Sequence, residues 1–363
     1  MNKLSLLLFA AALLFIVQGC STVRDYETPR NALRAKGISF TVKEFMMAAS
    51  DGKNDVLELF LDGGMDINTL DDGTVLTAAV VGNRKETVDF VLKKGADPNL
   101  SSYRGSPLFL ASKMGFYDVA LRLVQEGAEP EYAKNDGSTP LSEAVRNNHL
   151  EVAELLIKAG ADPELGDSMF KRTPVFLAAA NGNAEMIEIL CDNGADPKEA
   201  DIYETTPLDN AVVNGGKEAV LLLLEKGAAL TEDGNASKAV LDVCSRKNLA
   251  LLKLFIEKGL NVNCLAPLKV PLLSWCITNG YYDPAKILLS SGADLQLEDA
   301  QGELPLDYAM NSSPEFLAYF KNTTGKSVPT TTGKSTESAV SQPATEKPIV
   351  PADEVKTEAP KSP

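Results

Sequence analysis

A small residue returns along this chain at Ala48, Ala78, Ala111, Ala144, Ala178, Ala211, Cys244, Cys276 and Ala309, at spacings of about 30 to 34 residues with about 33 the commonest. A glycine keeps step with it at Gly64, Gly95, Gly127, Gly160, Gly194, Gly227, Gly259 and Gly292. Two independent columns with one period restrict the fold more tightly than composition does. A chain of 363 residues ordinarily divides into about two or three domains, but one that repeats is a stack of supersecondary units, each completing its core on its neighbours.

The stretch from Thr139 to Pro163 shows what the unit is. Pro140 suits the first turn of a helix, where a missing N–H is no loss. Leu141, Ala144 and Val145 then share one helical face. Asn148-His149 reads as a short turn, and Val152, Leu155, Leu156 and Ile157 line a second helix. Gly160 ends that helix in the left-handed conformation, which a residue without Cβ adopts freely. Asp136-Gly137 is a turn between units.

Thr-Pro-Leu stands at 139–141 and 206–208, Thr173-Pro174-Val175 varies it, and Pro107-Leu108 and Pro305-Leu306 are partial forms. Gly-Ala-Asp closes units at 95–97, 160–162, 194–196 and 292–294. This pattern resembles the ankyrin repeat over residues 40 to 320. The resemblance implies an all-α solenoid of about 8–9 helix-turn-helix repeats with finger-like hairpin loops along one edge. Family members often carry His directly after Thr-Pro-Leu; here Ser142, Phe176 and Asp209 occupy that place, so the usual hydrogen-bond network is absent or rebuilt. The less regular units near Phe45 to Asn68 and Pro305 to Phe320 read as caps.

The first 20 residues have the form of an export signal. Lys3 supplies positive charge, Leu4 to Val17 is apolar apart from Ser5, and small Gly19 precedes Cys20. The apolar run, about 14 residues, is short for a bilayer core that takes about 20. Val17-Gln18-Gly19-Cys20 resembles the lipobox of bacterial lipoproteins, which implies cleavage before Cys20 and acylation of its thiol. Several acyl chains suffice for stable anchoring. Ser21, rather than Asp, follows the cysteine, and by that resemblance the anchor is in the outer membrane, facing the periplasm. The expected division is a signal peptide over 1–19, a lipidated Cys20 and linker over 20–40, the solenoid over 41–321 and a disordered tail over 322–363. That tail is rich in Thr, Ser, Pro, Lys and Glu and poor in the apolar residues that offset ordering entropy.

Charge and residue inventory exclude much chemistry. The net charge of -15 disfavours a phosphate backbone and hence nucleic acid, and it suits a neutral or basic partner. His149 is the single histidine, without the partners that a metal centre or nucleophilic triad needs. Gly215-Gly216 sits in an inter-helix turn rather than a phosphate loop. Cys244 and Cys276 fall one repeat apart, about 8–10 Å by helix spacing and beyond disulfide reach. With Cys191 and Cys264 they are expected as free thiols. Asp71-Asp72, Glu232-Asp233 and Glu298-Asp299 read as solvated turns. The chain is expected to be non-catalytic, with no cofactor and no metal.

Binding is expected at the finger tips. Where Asp136-Gly137 makes a tight polar turn, other units carry Tyr103-Arg104, Phe170-Lys171 and Tyr203-Glu204. Exposed aromatics and arginines are typical interface anchors. The candidate ridge is Tyr103, Arg104, Phe170, Lys171, Tyr203 and Glu204, joined by Tyr132. The leading expectation is a monomeric scaffold, held to a membrane by lipid on Cys20, that binds a protein partner through finger tips and concave face, as a docking platform or as an inhibitor or immunity-type regulator of an envelope protein. The alternative is a structural spacer tethering membrane to cell wall.

Overall fold

A computed structural model describes residues 27–131, 136–214 and 216–325. The export signal with Cys20, Tyr132 and the chain from 326 onward lie outside the described residues. Among the described residues, helices follow one another in antiparallel pairs. The inner helices are α2 (Val42–Asp51), α4 (Val75–Val81), α6 (Pro107–Met114), α8 (Pro140–Arg146), α10 (Pro174–Ala180), α12 (Pro207–Asn214), α14 (Lys238–Ser245), α16 (Leu272–Thr278) and α18 (Pro305–Met310). Their outer partners are α3 (Asn54–Asp62), α5 (Lys85–Lys93), α7 (Tyr117–Gln125), α9 (Leu150–Lys158), α11 (Ala184–Asp192), α13 (Lys217–Glu225), α15 (Leu249–Glu257), α17 (Tyr282–Ser290) and α19 (Pro314–Thr324). One further helix, α1 (Glu27–Ala35), precedes them. Apart from α14 and α16, consecutive inner helices pack on each other, and each inner helix also packs on its own outer partner. This is the solenoid that the period predicts.

The α8–α9 pair shows how local sequence makes the unit. Thr139 Oγ1 accepts from Ser142 N–H at 3.1 Å, while Ser142 Oγ accepts from Thr139 N–H at 2.9 Å. This reciprocal cap satisfies two orphan donors of the helix start and contributes about 1 kcal/mol. Leu141, Ala144 and Val145 are fully buried on one side, Val152, Ala153 and Leu156 on the other. Asn148 (φ 63) takes the left-handed bend between the helices and Gly160 (φ 97) the one after them.

The same cap answers the missing family histidine. Thr74 and Thr77 exchange the same pair of bonds. Asp209 accepts from both the N–H and the hydroxyl of Thr206 at 2.8 Å, and Asp307 accepts from Leu304 N–H at 2.8 Å. The network is therefore rebuilt locally at the helix starts of these four repeats. At Phe176 an aromatic ring fills the place, with the Arg172 guanidinium 5.5 Å above it.

Two positions in the small-residue column need correction by one residue. Asn83 (φ 50) and Lys247 (φ 56) make the bend in their units, and counting back from them as from Asn148 puts Ala79 and Val243 in register with Ala144. Ala79 and Val243 are fully buried, whereas Ala78 is only half-buried.

The ends also differ from expectation. The linker over 20–40 contains α1, which packs on α3 through a fully buried Leu33. Arg30 donates from Nε to Gly63 O at 2.9 Å and lays its guanidinium 4.3 Å over Phe40, whose ring stacks 5.4 Å from Phe60. At the other end α19 runs through Thr324, past the expected tail boundary at 322, and Gly325 (φ 65) closes it. Phe316 and Phe320 anchor that helix in the core, and Tyr282 stacks on Phe316 at 4.8 Å. Both ends carry large aromatic side chains because a terminal repeat has one neighbour instead of two to cover its apolar face.

If α1 is a cap and not a linker, Leu33→Ala removes a core side chain. Urea denaturation then shows a loss of about 2–5 kcal/mol; an unchanged midpoint would return this segment to linker.

Candidate protein-binding edge

The fingers begin at the Gly-Ala-Asp sequences. Asp97, Asp162, Asp196 and Asp294 each accept, through Oδ1, the N–H two residues on, at 2.8–2.9 Å. This is an Asx turn, in which a short carboxylate substitutes for backbone. The residue two on then reaches the neighbouring finger. Asn68 accepts from Asp97 N–H at 2.8 Å and donates to Gly95 O at 3.3 Å. Asn99 does the same with Glu129 N–H at 2.8 Å and Gly127 O at 3.1 Å. Glu131, Glu164 and Asn263 continue the series to Asp162, Asp196 and Asp294. The finger bases are thus tied in sequence along the stack.

In three fingers a second aspartate holds the tip from below. Asp167 is buried and accepts from Met169 and Phe170 N–H at 3.1 and 2.5 Å. Buried Asp201 accepts from Tyr203 and Thr205 N–H at 2.9 and 3.1 Å. Asp299 accepts from Gln301 and Glu303 N–H at 2.8 and 2.9 Å. Asp299 was expected in a solvated turn and is instead buried, with the Tyr308 hydroxyl donating to it. Burial alone would raise its pKa; the hydrogen bonds from Tyr308 and the loop N–H groups prevail and lower it. Burial and the bond to Asp299 push the Tyr308 hydroxyl upward in turn.

With the backbone held from inside, the tip side chains point outward. Tyr103 and Tyr203 are 61% and 63% exposed. Arg104 donates from Nε to the Tyr103 hydroxyl at 2.9 Å and reaches Asp72 of the preceding finger at 3.7 Å. Phe170 and Tyr203 lie side by side, ring centroids 6.2 Å apart, and Ile202 N–H bonds Phe170 O at 3.0 Å. Phe170 is half-buried, partly because the Arg172 guanidinium stacks 4.6 Å above it. Lys171 and Glu204 are exposed and hold left-handed backbone (φ 59 and 57), so those positions set turn geometry as well as charge. The structure brings Phe170, Lys171, Tyr203 and Glu204 together in adjacent fingers and places Tyr103 with Arg104 apart from them.

Further exposed side chains join this edge. Leu70 (53%), Met169 (62%) and Ile202 (53%) occupy the residue before the aromatic position or its equivalent, a column legible in the sequence once the tips are aligned. Leu268 (86% exposed) has φ 63 and Lys269 φ 58, a conformation that disfavours L residues by about 1–2 kcal/mol each. They form the tip between β3 (Leu265–Ala266) and β4 (Val270–Pro271), which pairs through β3 with the preceding finger's hairpin, β1 (Thr231–Glu232) and β2 (Asn235–Ala236), in the order β1-β2-β3-β4. Asn235 and Leu265 make the parallel contact.

His149 packs where a Cβ on Gly115 would lie, 2.4 Å away, and its Nε2 bonds Lys113 O at 3.2 Å; it ties one repeat to the last. Among the described residues there is no group of three or more His, Cys, Asp or Glu placed to hold a metal ion. No described helix is long and apolar enough to cross a membrane.

Comparison with known proteins gives the stack its family. The chain is 36% identical over 112 residues to alpha-latrocrustotoxin-Lt1a of Latrodectus tredecimguttatus, covering 30% of this chain and 8% of the toxin. It is 27% identical over 271 residues to the ankyrin repeat and KH domain-containing protein mask-1 of Caenorhabditis elegans, 71% of this chain and 10% of that one. An ankyrin repeat-containing protein of Treponema pallidum (strain Nichols) matches at 33% over 144 residues, 39% of this chain and 48% of that protein. The chain thus spans less than half the length of each of these relatives. The family model described as ankyrin repeats (3 copies) matches at residues 45–134, 104–167 and 141–233. The chain belongs to the ankyrin repeat family, and its repeats form a protein–protein interaction scaffold.

Proposed function

We propose that this chain is a non-catalytic docking protein, anchored to a bacterial envelope membrane through lipid on Cys20, whose finger edge binds a polypeptide bearing basic and apolar side chains. The observation that carries the binding reading is the set of solvent-facing apolar residues on five of the tips: Leu70, Tyr103, Met169, Ile202 with Tyr203, and Leu268. Buried aspartates hold two of these tips, at Met169 and at Ile202 with Tyr203, which reduces the ordering cost of association. Exposed acids lie beside them, among them Asp71, Asp72, Glu204, Glu232, Asp233, Glu298 and Glu303. Together with a net charge of -15, they favour a basic partner. The lipid-anchor part rests on residues 1–20 and their resemblance to a lipobox; residues 17–20 read Val-Gln-Gly-Cys.

Two experiments separate these parts. Crosslinking in the envelope, followed by identification of the captured species, compares the wild type with the triple variant Tyr103→Ala, Phe170→Ala, Tyr203→Ala. Anchors of this kind contribute about 2 kcal/mol or more each, so capture of the partner falls at least tenfold in the variant while thermal stability stays close to wild type. Equal capture by both chains contradicts the edge, and capture of cell wall alone would favour a spacer. Independently, labelled palmitate enters the wild-type chain and not Cys20→Ser; equal or absent labelling of both contradicts acylation at Cys20.

A further inference from the structure

One finger tip sets its backbone against its own residues. Between β3 and β4 the chain turns through Pro267, Leu268 and Lys269, and Leu268 (φ 63) and Lys269 (φ 58) both lie in the left-handed region. Among the described residues this is the one place where two successive residues with side chains do so. The tips at Gly105, Gly137, Lys171, Glu204 and Gly302 take that conformation once each. The neighbouring hairpin supplies an internal standard. Its turn between β1 and β2 also has two left-handed residues, Asp233 (φ 48) and Gly234 (φ 82), and Asp-Gly is a pair that such turns favour. The next turn in the same sheet reads Leu-Lys, which folding alone does not call for.

Leu268 gains no burial in return. It is 86% exposed, more than any other large apolar side chain among the described residues. The finger beneath it is firmly placed. On one side Leu265 pairs with Asn235 and donates its N–H to Gly234 O at 2.9 Å. On the other, Asn263 Oδ1 accepts from Asp294 N–H of the last finger at 2.7 Å. Strained backbone that its surroundings hold in place clusters at binding and switch sites.

The charge around the tip indicates what kind of surface it meets. The fingers on either side expose Glu232 and Asp233, and Glu298 and Glu303. None of the four forms an ion pair among the described residues. Lys269 is the single base in residues 228–237, 261–271 and 294–304. We propose that Leu268 is a preformed apolar anchor that seats in an apolar pocket with a basic rim on a protein partner; this rests on the reading of the finger edge as a polypeptide-binding surface. The left-handed turn presents the side chain to solvent before the partner arrives, which lowers the ordering cost of association. The flanking carboxylates meet Lys or Arg side chains around the pocket. Lys269 serves the turn and not the contact.

The test sets stability against capture. The purified Leu268→Asn, Lys269→Gly chain melts about 2–6 °C above wild type, because the new pair suits the left-handed turn. In an intact envelope, a photoreactive residue at Gln301, on the tip of the next finger, yields one protein adduct. That adduct falls about tenfold or more in the double variant, while Lys269→Gly alone keeps it. The variant Glu232→Gln, Asp233→Asn, Glu298→Gln, Glu303→Gln lowers it too, and peptide mapping places the crosslink in a stretch of the partner bearing Lys or Arg beside apolar residues. Capture equal to wild type by the double variant overturns the anchor, as does a midpoint that does not rise. Loss of the adduct in Lys269→Gly alone, capture indifferent to the four neutral substitutions, or a crosslink in an acidic stretch does the same. Absence of any adduct from position 301 overturns it whatever position 203 gives. An adduct at 301 that behaves as predicted, with silence at 203, keeps the anchor and rejects the wider edge.

Discussion

A helix pair in this chain is apolar on two faces and wide enough to cover only its own inner seam. In the α8–α9 repeat, Leu141, Ala144, Val145, Val152, Ala153 and Leu156 are all essentially fully buried, and the side chains that bury them come largely from the pairs on either side. Stability is then a chain of neighbour interfaces rather than one central core. Everything else in the structure follows from keeping that chain unbroken. Large aromatics and α1 close the ends, side-chain hydrogen bonds tie finger to finger, and ion pairs such as Arg122–Asp89 and Lys258–Glu225 run between outer helices. Ion pairs at the surface of this kind are each worth about 0–1 kcal/mol, so they tune the stack rather than hold it.

The same constraint separates scaffold from surface. Inner positions cannot vary without opening an interface, whereas the finger tips at 167–170, 201–204 and 299–303 are each held by an aspartate of their own. Asp167 and Asp201 take up the loop N–H groups internally, which frees the side chains at 169, 170, 202 and 203 from any role in the core. A tip can therefore carry Tyr, Met, Ile or Leu at little cost to folding, and a row of such tips is a surface whose chemistry is set independently of the fold.

The repeat was legible because its two columns, Ala and Gly, do separate jobs at fixed spacing: close approach of inner helices and left-handed closure of outer ones. Register was harder to read where the bend residue was not glycine. Val75-Leu76-Thr77-Ala78-Ala79 offers two adjacent alanines, and only the left-handed Asn83 decides between them. Cys244 slipped for the same reason, with Lys247 in the bend. The α1 helix gave little signal, since a polar nine-residue segment with Leu33 as its single fully buried side chain lies outside the repeat and carries neither of its two columns. At the edge, aromatic–charged pairs marked Tyr103, Phe170 and Tyr203, while Leu70, Met169 and Ile202 looked like ordinary apolar residues. At Met169 and Ile202 the tip is held by the buried Asp167 and Asp201, and an aspartate at a turn reads the same in sequence whether it is solvated or buried.

The central claim is that recognition takes place on the finger edge and not on the outer helices. Site-specific photocrosslinking tests it most directly, with a photoreactive residue placed at Tyr203 or Leu70 on the edge, or at Glu154 on outer helix α9, and the chain expressed in an intact envelope. The account predicts one protein adduct of the same mass from both edge positions and none from position 154. Adducts from position 154 with silence at 70 and 203 would contradict it, and would move the binding surface to the outer helices.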